Sequence, residues 1–247
     1  MFPCSYCLVD SADLLCVFLF SRGAGLLSKL ANFYPDYFSA LAFLSVPYSP
    51  GLSDVDGINA RTEAAFGYPT FGYQKFFNED DAAEIIERNI ESFTSAVFPG
   101  DPEVWRTDLC PYGKAKAWIE AGKMDSKLPS YETPETREAR VAKFKSGGLA
   151  APLNWYKVSM RNIDAEAINA IPKQNLVLNV PTVFMGGDKD YATRVEMMQM
   201  AAAKLKEAGL LKPDVEVKIV KGASHWITLE RPDEVFTVLQ ELVKKVE

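Results

Sequence analysis

Apolar residues are concentrated in short runs at both ends of the chain and fall at helical spacing elsewhere. These runs are rich in branched and aromatic side chains, which is typical of strands. Each run but one is followed by a segment with helical periodicity, and strands alternating with helices indicate a parallel sheet. The predicted strands are residues 14–20, 40–46, 181–186 and 215–220, and the helices that follow them are 23–34, 193–208 and 232–246.

The stretch between the second and third strands has a different pattern. It contains only helical periodicity, interrupted by proline and glycine. The helical segments predicted there are 79–97, 112–122, 133–146 and 151–170. A helical insertion in mid-sheet implies a cap over the carboxyl ends of the strands, where open α/β sheets bind ligands. We therefore predict a first core segment at 1–50, a cap at 51–178 and a second core segment at 179–247.

The overall composition narrows the functional class. The chain has 247 residues, 48% hydrophobic content and a formal net charge of −6. Such an acidic balance argues against a nucleic-acid partner, because nucleic-acid binding needs basic stripes. The composition fits a cytoplasmic enzyme with a substantial core.

The cysteines and the first apolar run do not change this interpretation. Cys4 and Cys7 form a CxxC pair, but no second pair and no nearby histidine complete a metal site. Residues 14–20 follow Asp10 and Asp13 instead of a basic segment, so they do not resemble a signal peptide. They are also too short to span a membrane. We expect no metal, no membrane span and a reducing compartment.

His225 is the only histidine of the chain and the most informative residue. It lies after the last predicted strand and before the last helix. An acidic group, Asp188 and Asp190, follows the preceding strand. An acid after one strand and a histidine after the next is the order of the α/β-hydrolases. For an isolated histidine a structural role would be the simpler interpretation, but this context favours a general base.

Five segments resemble the soluble epoxide hydrolases of the α/β-hydrolase superfamily, especially fungal members, from about Gly23 to the C-terminus. They occur in the family's order. The segments are Leu30-Ala31-Asn32-Phe33-Tyr34-Pro35, Phe71-Gly72-Tyr73-Gln74, Pro152-Leu153-Asn154-Trp155-Tyr156, Gly187-Asp188-Lys189-Asp190 and Ser224-His225-Trp226.

The resemblance implies an α/β fold with a helical cap and a role for each matching residue. His225 is the base that activates water, and Asp190 orients it, with Asp188 as the other candidate. Tyr73 and Tyr156 donate hydrogen bonds to the epoxide oxygen, although either could be an ordinary core aromatic. Phe71, Gln74 and Trp226 line the substrate pocket or simply pack. The implied reaction converts a small apolar epoxide to a vicinal diol through an ester intermediate, without cofactor or metal.

The sequence departs from this family at the nucleophile. The family's elbow reads Gly-His-Asp-Trp-Gly, and its Asp aligns with Ser21 in Leu19-Phe20-Ser21-Arg22-Gly23. Leu19 occupies a position where a tight elbow needs a small residue. The family's oxyanion motif, His-Gly-x-Pro, has no counterpart, since the one histidine is already assigned. A partial core of about four strands would expose an apolar edge, and a homo-oligomer could cover it.

Two explanations follow. In the first, the chain is a serine hydrolase with Ser21, Asp190 and His225 in that order. In the second, which we favour, residues 1–22 are not the family's native segment and the chain is truncated or misannotated at its N-terminus. Low or no epoxide hydrolase activity is then expected of the chain as written. A pseudo-enzyme or interaction protein is a further alternative. A haloalkane dehalogenase fits less well, because paired cap tyrosines suit an alkoxide.

Overall fold

The structure, a computed structural model, describes residues 15–212 and 215–246. Its strands are β1 (Leu15–Phe20), β2 (Phe38–Leu44), β3 (Thr182–Gly187) and β4 (Glu216–Val220). Its α-helices are α1 (Arg22–Phe33), α2 (Val55–Phe66), α3 (Tyr73–Phe77), α4 (Ala82–Arg88), α5 (Ile90–Val97), α6 (Lys114–Glu120), α7 (Pro134–Gly147), α8 (Ala150–Arg161), α9 (Ala165–Asn169), α10 (Val195–Glu207), α11 (Ile227–Glu230) and α12 (Pro232–Val243).

The chain divides into two compact units. The first extends to Gly51 and resumes at Ala167, and the second is Leu52–Glu166. The helical pattern of the sequence predicted a return to the core near residue 178. The first unit contains all four strands of the described ranges, which form one sheet in the order β1-β2-β3-β4. Every pair in this sheet is parallel, as the alternation of strands and helices predicted.

Helices cover both faces of the sheet. Leu41 and Phe43 of β2 pack with α1 and α10 on one face. Ala42 and Leu44 of the same strand pack with α11 and α12 on the other. Since successive residues of a strand point to opposite faces, a strand covered on both sides must be apolar throughout. This explains why β2 from Ala40 to Leu44 is a continuous apolar run and not an alternating one.

The second unit is helical, as predicted, although its helices differ from the expected ones. The predicted segments 79–97 and 151–170 are each divided, into α4 with α5 and into α8 with α9. Asn162, with φ of 47°, ends α8 in the left-handed conformation. Neither α2 nor α3 was predicted from the sequence.

Sharply defined ends fix two helices of the second unit. Asp54 accepts a hydrogen bond from the Gly57 amide at the start of α2, and Gly67 ends that helix with φ of 80°. Thr133 and Thr136 form a capping box before α7. Such caps satisfy backbone groups that a helix end leaves without an intrahelical partner.

Candidate active site

The carboxyl ends of three parallel strands supply the polar residues of the site. Ser21 directly follows β1, Asp190 lies three residues after β3, and His225 lies five residues after β4. Because parallel strands end at the same edge of a sheet, these loops meet there. All three residues belong to the first unit.

The structure brings Ser21, His225 and Asp190 into one hydrogen-bonded chain. Ser21 Oγ lies 2.8 Å from His225 Nε2. On the other side of the ring, His225 Nδ1 lies 2.7 Å from Asp190 Oδ2. A serine hydroxyl, an imidazole and a buried carboxylate in this sequence of contacts can transfer a proton away from the hydroxyl.

Ser21 occupies a strained turn. Its φ of 53° and ψ of −121° are close to those of the first central residue of a type II′ turn, where glycine dominates. The Ser21 amide donates to the carbonyl of Leu44, at 2.9 Å, which ties the turn to the end of β2. A sharp, strained strand-to-helix turn is how α/β-hydrolases expose a nucleophile.

The large residue at position 19 is accommodated by Gly23. A Cβ atom added to Gly23 would lie 3.2 Å from the Leu19 Cβ atom, closer than ordinary packing. The turn therefore keeps one small residue, at position 23, and uses it to make room for Leu19.

Asp190 is buried and held by the residues that follow it. The amides of Ala192 and Thr193 each donate to Asp190 Oδ1 at 2.9 Å. The Thr193 hydroxyl donates to Oδ2 at 2.6 Å. Burial alone raises the pKa of Asp190, but the charge of His225 and the hydrogen bonds from His225 and Thr193 outweigh it, so the pKa lies below its usual range.

Asp188, the other candidate acid, has different contacts. Its Oδ1 accepts a hydrogen bond from the Gly222 amide at 2.7 Å, and Lys221 Nζ lies 3.7 Å from Oδ2. It therefore joins the loop after β3 to the turn after β4. Of the two carboxylates, the one that contacts the His225 ring is Asp190.

Three further residues position the site and were not identified from the sequence. Thr193 is one, and the Asp-x-x-Thr spacing was its signal. Ser45 is another: its hydroxyl donates to the His225 carbonyl at 2.8 Å. Gly187 is the third, since a Cβ there would lie 2.2 Å from the Ala223 carbonyl oxygen and separate the two loops. Only the folded chain brings Ser45 and Gly187 beside the His225 loop.

Aromatic rings surround the imidazole within the first unit. The ring of Phe20 lies 5.2 Å from His225 and 5.4 Å from Trp226, measured between centroids. Trp226 meets the His225 ring edge to face at 5.4 Å. Trp226, which the sequence placed in the pocket, thus contacts the imidazole directly.

The second unit brings the two predicted tyrosines together. Tyr73 begins α3 and Tyr156 lies in α8, and their ring centroids are 6.0 Å apart. Phe77 contacts both rings, and Phe71 meets Tyr73 edge to face. Arg161, which ends α8, donates to the side chain and the carbonyl of Asn78 at 2.8 Å, holding α8 against the end of α3.

Gln74 lies next to the tyrosine pair and is buried. Its side-chain carbonyl has no hydrogen-bond partner among the residues that the structure describes. Gly72 allows the start of α3 to approach the 110–112 segment, because a Cβ there would lie 2.4 Å from the Cys110 carbonyl oxygen.

The described ranges contain neither a metal-binding cluster nor a membrane-spanning helix. No group of three or more His, Cys, Asp or Glu side chains within 15–212 and 215–246 could hold a metal ion. The Cys4–Cys7 pair lies outside these ranges, and Cys16 and Cys110 are buried. No helix in the same ranges has the length and apolar character that crossing a membrane requires.

Comparison with known proteins relates this geometry to one group of enzymes. No family model matches the chain. The chain is 26% identical over 230 residues to bifunctional epoxide hydrolase 2 of Rattus norvegicus, covering 92% of this chain and 39% of that protein. It is 25% identical over 231 residues to epoxide hydrolase srdG of Neurospora crassa, covering 90% and 64%. The chain thus spans less than two thirds of the length of either relative.

Solved structures give the same relationship at the level of the fold. The crystal structure of epoxide hydrolase A from Mycobacterium thermoresistibile superposes with a TM-score of 0.72 at 24% identity, covering 96% of this chain and 71% of that chain. The chain is therefore similar in sequence to epoxide hydrolases, and its fold is that of their α/β-hydrolase structures, as the sequence motifs predicted.

Proposed function

We propose that this chain, with its epoxide hydrolase fold and sequence similarity, is built for opening an apolar epoxide to a vicinal diol. The observation that carries the proposal is the buried pair of His225 and Asp190, whose Nδ1 and Oδ2 atoms lie 2.7 Å apart on two strand-end loops. The pair occurs in a chain that is similar in sequence to epoxide hydrolases. The relatives are named epoxide hydrolases, and the chain spans only part of their length. Epoxide hydrolysis by this chain is therefore a proposal that needs an experiment.

Each residue has a role in the proposed reaction. A carboxylate at position 21 would attack one ring carbon, and the ring oxygen would leave as an alkoxide. Tyr73 and Tyr156 would donate to that oxygen as its charge develops. His225, oriented by Asp190, would take a proton from the water that hydrolyses the ester. No cofactor takes part in any of these steps.

Serine at position 21 limits this chemistry in the chain as it stands. A hydroxyl that attacked an epoxide carbon would form an ether, which the His225-activated water cannot readily hydrolyse. The remaining groups can polarise the epoxide but cannot complete the two-step reaction. We therefore expect little or no diol from the unaltered chain.

Ser21→Asp tests the proposal directly. The variant and the unaltered chain are incubated with styrene oxide, and the diol is measured by chiral chromatography. We expect diol formation from Ser21→Asp only, with Ser21→Asn as the matched control that lacks the charge. Adding His225→Gln should slow ester hydrolysis by about 10²–10⁴-fold, so that the alkylated protein accumulates and is detected by mass.

The two tyrosines are tested in the Ser21→Asp background. Tyr73→Phe and Tyr156→Phe should each lower the rate of ester formation by roughly 10²-fold, since each removes one donor to the developing charge. Tyr112→Phe, an exposed tyrosine of the same unit, is the control and should leave the rate unchanged. A folded Ser21→Asp variant that gives neither diol nor alkylated protein would contradict the proposed function.

The cellular context is inferred from composition. The acidic net charge of −6 supports a cytoplasmic location.

A further inference from the structure

We infer that the unaltered chain has a second activity: it is a serine hydrolase that transfers acyl groups from apolar carboxylic esters to water through Ser21. This inference does not rest on the proposed epoxide chemistry, because it uses the side chain that is present at position 21. It rests on the geometry of three residues within the first unit.

The contacts of Ser21 are those of a nucleophile paired with a base. Its hydroxyl lies 2.8 Å from His225 Nε2, so the imidazole is placed to accept the Oγ proton. The opposite ring nitrogen is held by a carboxylate that is itself fixed by three further donors. A serine with only a structural role would not need a strained φ of 53° to reach this position.

The side chain at position 21 determines which substrate can be turned over. A carboxylate forms a hydrolysable ester when it attacks an alkyl carbon, as it does when it opens an epoxide. A hydroxyl gives a hydrolysable ester only when it takes an acyl group. With Ser21 in place, the same base and acid therefore suit acyl transfer, with an ester and water as the two reactants.

The steps balance without any further reactant. Ser21 Oγ bonds to the ester carbonyl carbon as His225 Nε2 takes the Oγ proton. The tetrahedral intermediate then breaks its bond to the alcohol oxygen, and His225 returns the proton to the departing alcohol. Water attacks the acyl-serine with His225 as base again, the acid is released, and Ser21 regains its hydroxyl proton.

Charge on the tetrahedral oxygen develops beside the start of α1. Arg22 is the first residue of this helix, and the N–H groups of a first helical turn point out of its N-terminus and favour negative charge. Hydrolases of this fold take a second donor from another loop, and losing one donor costs about 10²–10³-fold in rate. We therefore expect slow turnover, best seen with an activated ester.

The aromatic surroundings specify the substrate class. Phe20 and Trp226 lie against the imidazole, so an apolar acyl or alcohol group beside it would be favoured over a charged one. A short-chain p-nitrophenyl ester has these properties and is a suitable probe.

Two measurements on the full chain test the inference. The first is labelling with a fluorophosphonate followed by peptide mass mapping, which should place the label on Ser21. The second is hydrolysis of p-nitrophenyl butyrate. Ser21→Ala and His225→Gln should each abolish labelling and lower hydrolysis by at least about 10²-fold, because triad members act as a unit. Ser146→Ala, an exposed serine of the second unit, is the matched control and should keep both activities.

Folding of each variant is checked by circular dichroism, and Ser21→Gly replaces Ser21→Ala if the latter is unfolded. A folded chain that is not labelled at Ser21, or a Ser21→Ala variant that hydrolyses the ester as fast as the unaltered chain, would overturn the inference. The epoxide test uses Ser21→Asp, so each proposal can fail while the other stands.

Discussion

Ser21 combines a reactive position with an unfavourable backbone conformation. Non-glycine residues in sparsely populated backbone regions cost on the order of 1–3 kcal/mol, and the Leu44 carbonyl and the start of α1 hold this one in place. The strain is expected where a turn must project a side chain. Because of this strain, mutations at Ser21 can distinguish the effect of the backbone conformation from the effect of the hydroxyl.

Ser21→Gly and Ser21→Ala both remove the hydroxyl but differ in backbone freedom. We expect the free energy of unfolding of Ser21→Gly to exceed that of Ser21→Ala by about 1 kcal/mol, because glycine tolerates φ of 53°. Urea denaturation followed by circular dichroism measures the difference. Equal stabilities of the two variants would show that the turn is relaxed.

Asp190 gives the site a pH dependence of stability. Its pKa in the folded chain is lowered, since the His225 charge and the hydrogen bonds from His225 and Thr193 outweigh burial. The unfolded chain therefore binds this proton more readily. The stabilisation is complete above the pKa of an unfolded Asp, about 3.9, and is lost as the pH falls through the folded pKa.

The free energy of unfolding should thus decline on acidification below about pH 4. The decline should be smaller in Asp190→Asn, which has no carboxylate to protonate at this position. Denaturation series from pH 7 to pH 2 measure both. Parallel curves for the two proteins would contradict the prediction.

Among the elements, the loop after β3 depends on the absence of a side chain at Gly187. A Cβ at this residue would lie 2.2 Å and 2.3 Å from the carbonyl oxygens of Ala223 and Ser224. Backbone atoms cannot move aside as a flexible side chain can. The two loops that carry Asp190 and His225 would therefore have to separate.

Gly187→Ala should destabilise the chain by about 1–3 kcal/mol through this overlap and weaken the His225–Asp190 contact. Fluorophosphonate labelling of Ser21 should fall accordingly, in a variant that still unfolds cooperatively. Gly51→Ala is the control, since a Cβ there meets nothing within 4 Å. Unchanged stability and labelling in Gly187→Ala would show that the loops adjust.

At the scale of the whole molecule, the strand order leaves β1 at an edge of the sheet. β1 pairs with β2 on one side, and no strand within 15–212 or 215–246 pairs with its other side. Unpaired strand edges carry backbone donors and acceptors that invite another chain. The side chains of β1 are apolar throughout, with no charged residue to discourage such pairing.

We therefore expect the purified chain to self-associate as its concentration rises, which light scattering coupled to size-exclusion chromatography measures. Leu15→Lys, which places a charge at the start of β1, should shift the equilibrium toward the monomer. Ser146→Lys, at an exposed position of the second unit, adds the same charge elsewhere and is the control. A monomer at all concentrations would mean that the β1 edge is covered.

Several features were determined by the sequence alone because they depend on local chemistry. The four strands are confirmed within a few residues. For β2 and β3 the reason is that strands covered on both faces are mostly apolar, whereas β4 at the sheet edge alternates charged and apolar residues. The helices α1, α10 and α12 are also confirmed, because the apolar residues that face the sheet recur at helical spacing. The motifs around His225, Asp190, Tyr73 and Tyr156 also predicted the fold and the relationship to epoxide hydrolases.

The tertiary structure decided what depends on residues distant in the sequence. The sequence marks only the start of α2, at Asp54, and its end, at Gly67. Most residues of this helix are not buried, so they form no periodic apolar face that the sequence could reveal. Ser45 and Gly187 act on the His225 loop across the sheet. The resemblance to epoxide hydrolases favoured Asp190 over Asp188 as the acid. The tertiary structure places Asp190 at the His225 ring and Asp188 at the Gly222 amide, contacts that the sequence order of two nearby acids does not reveal.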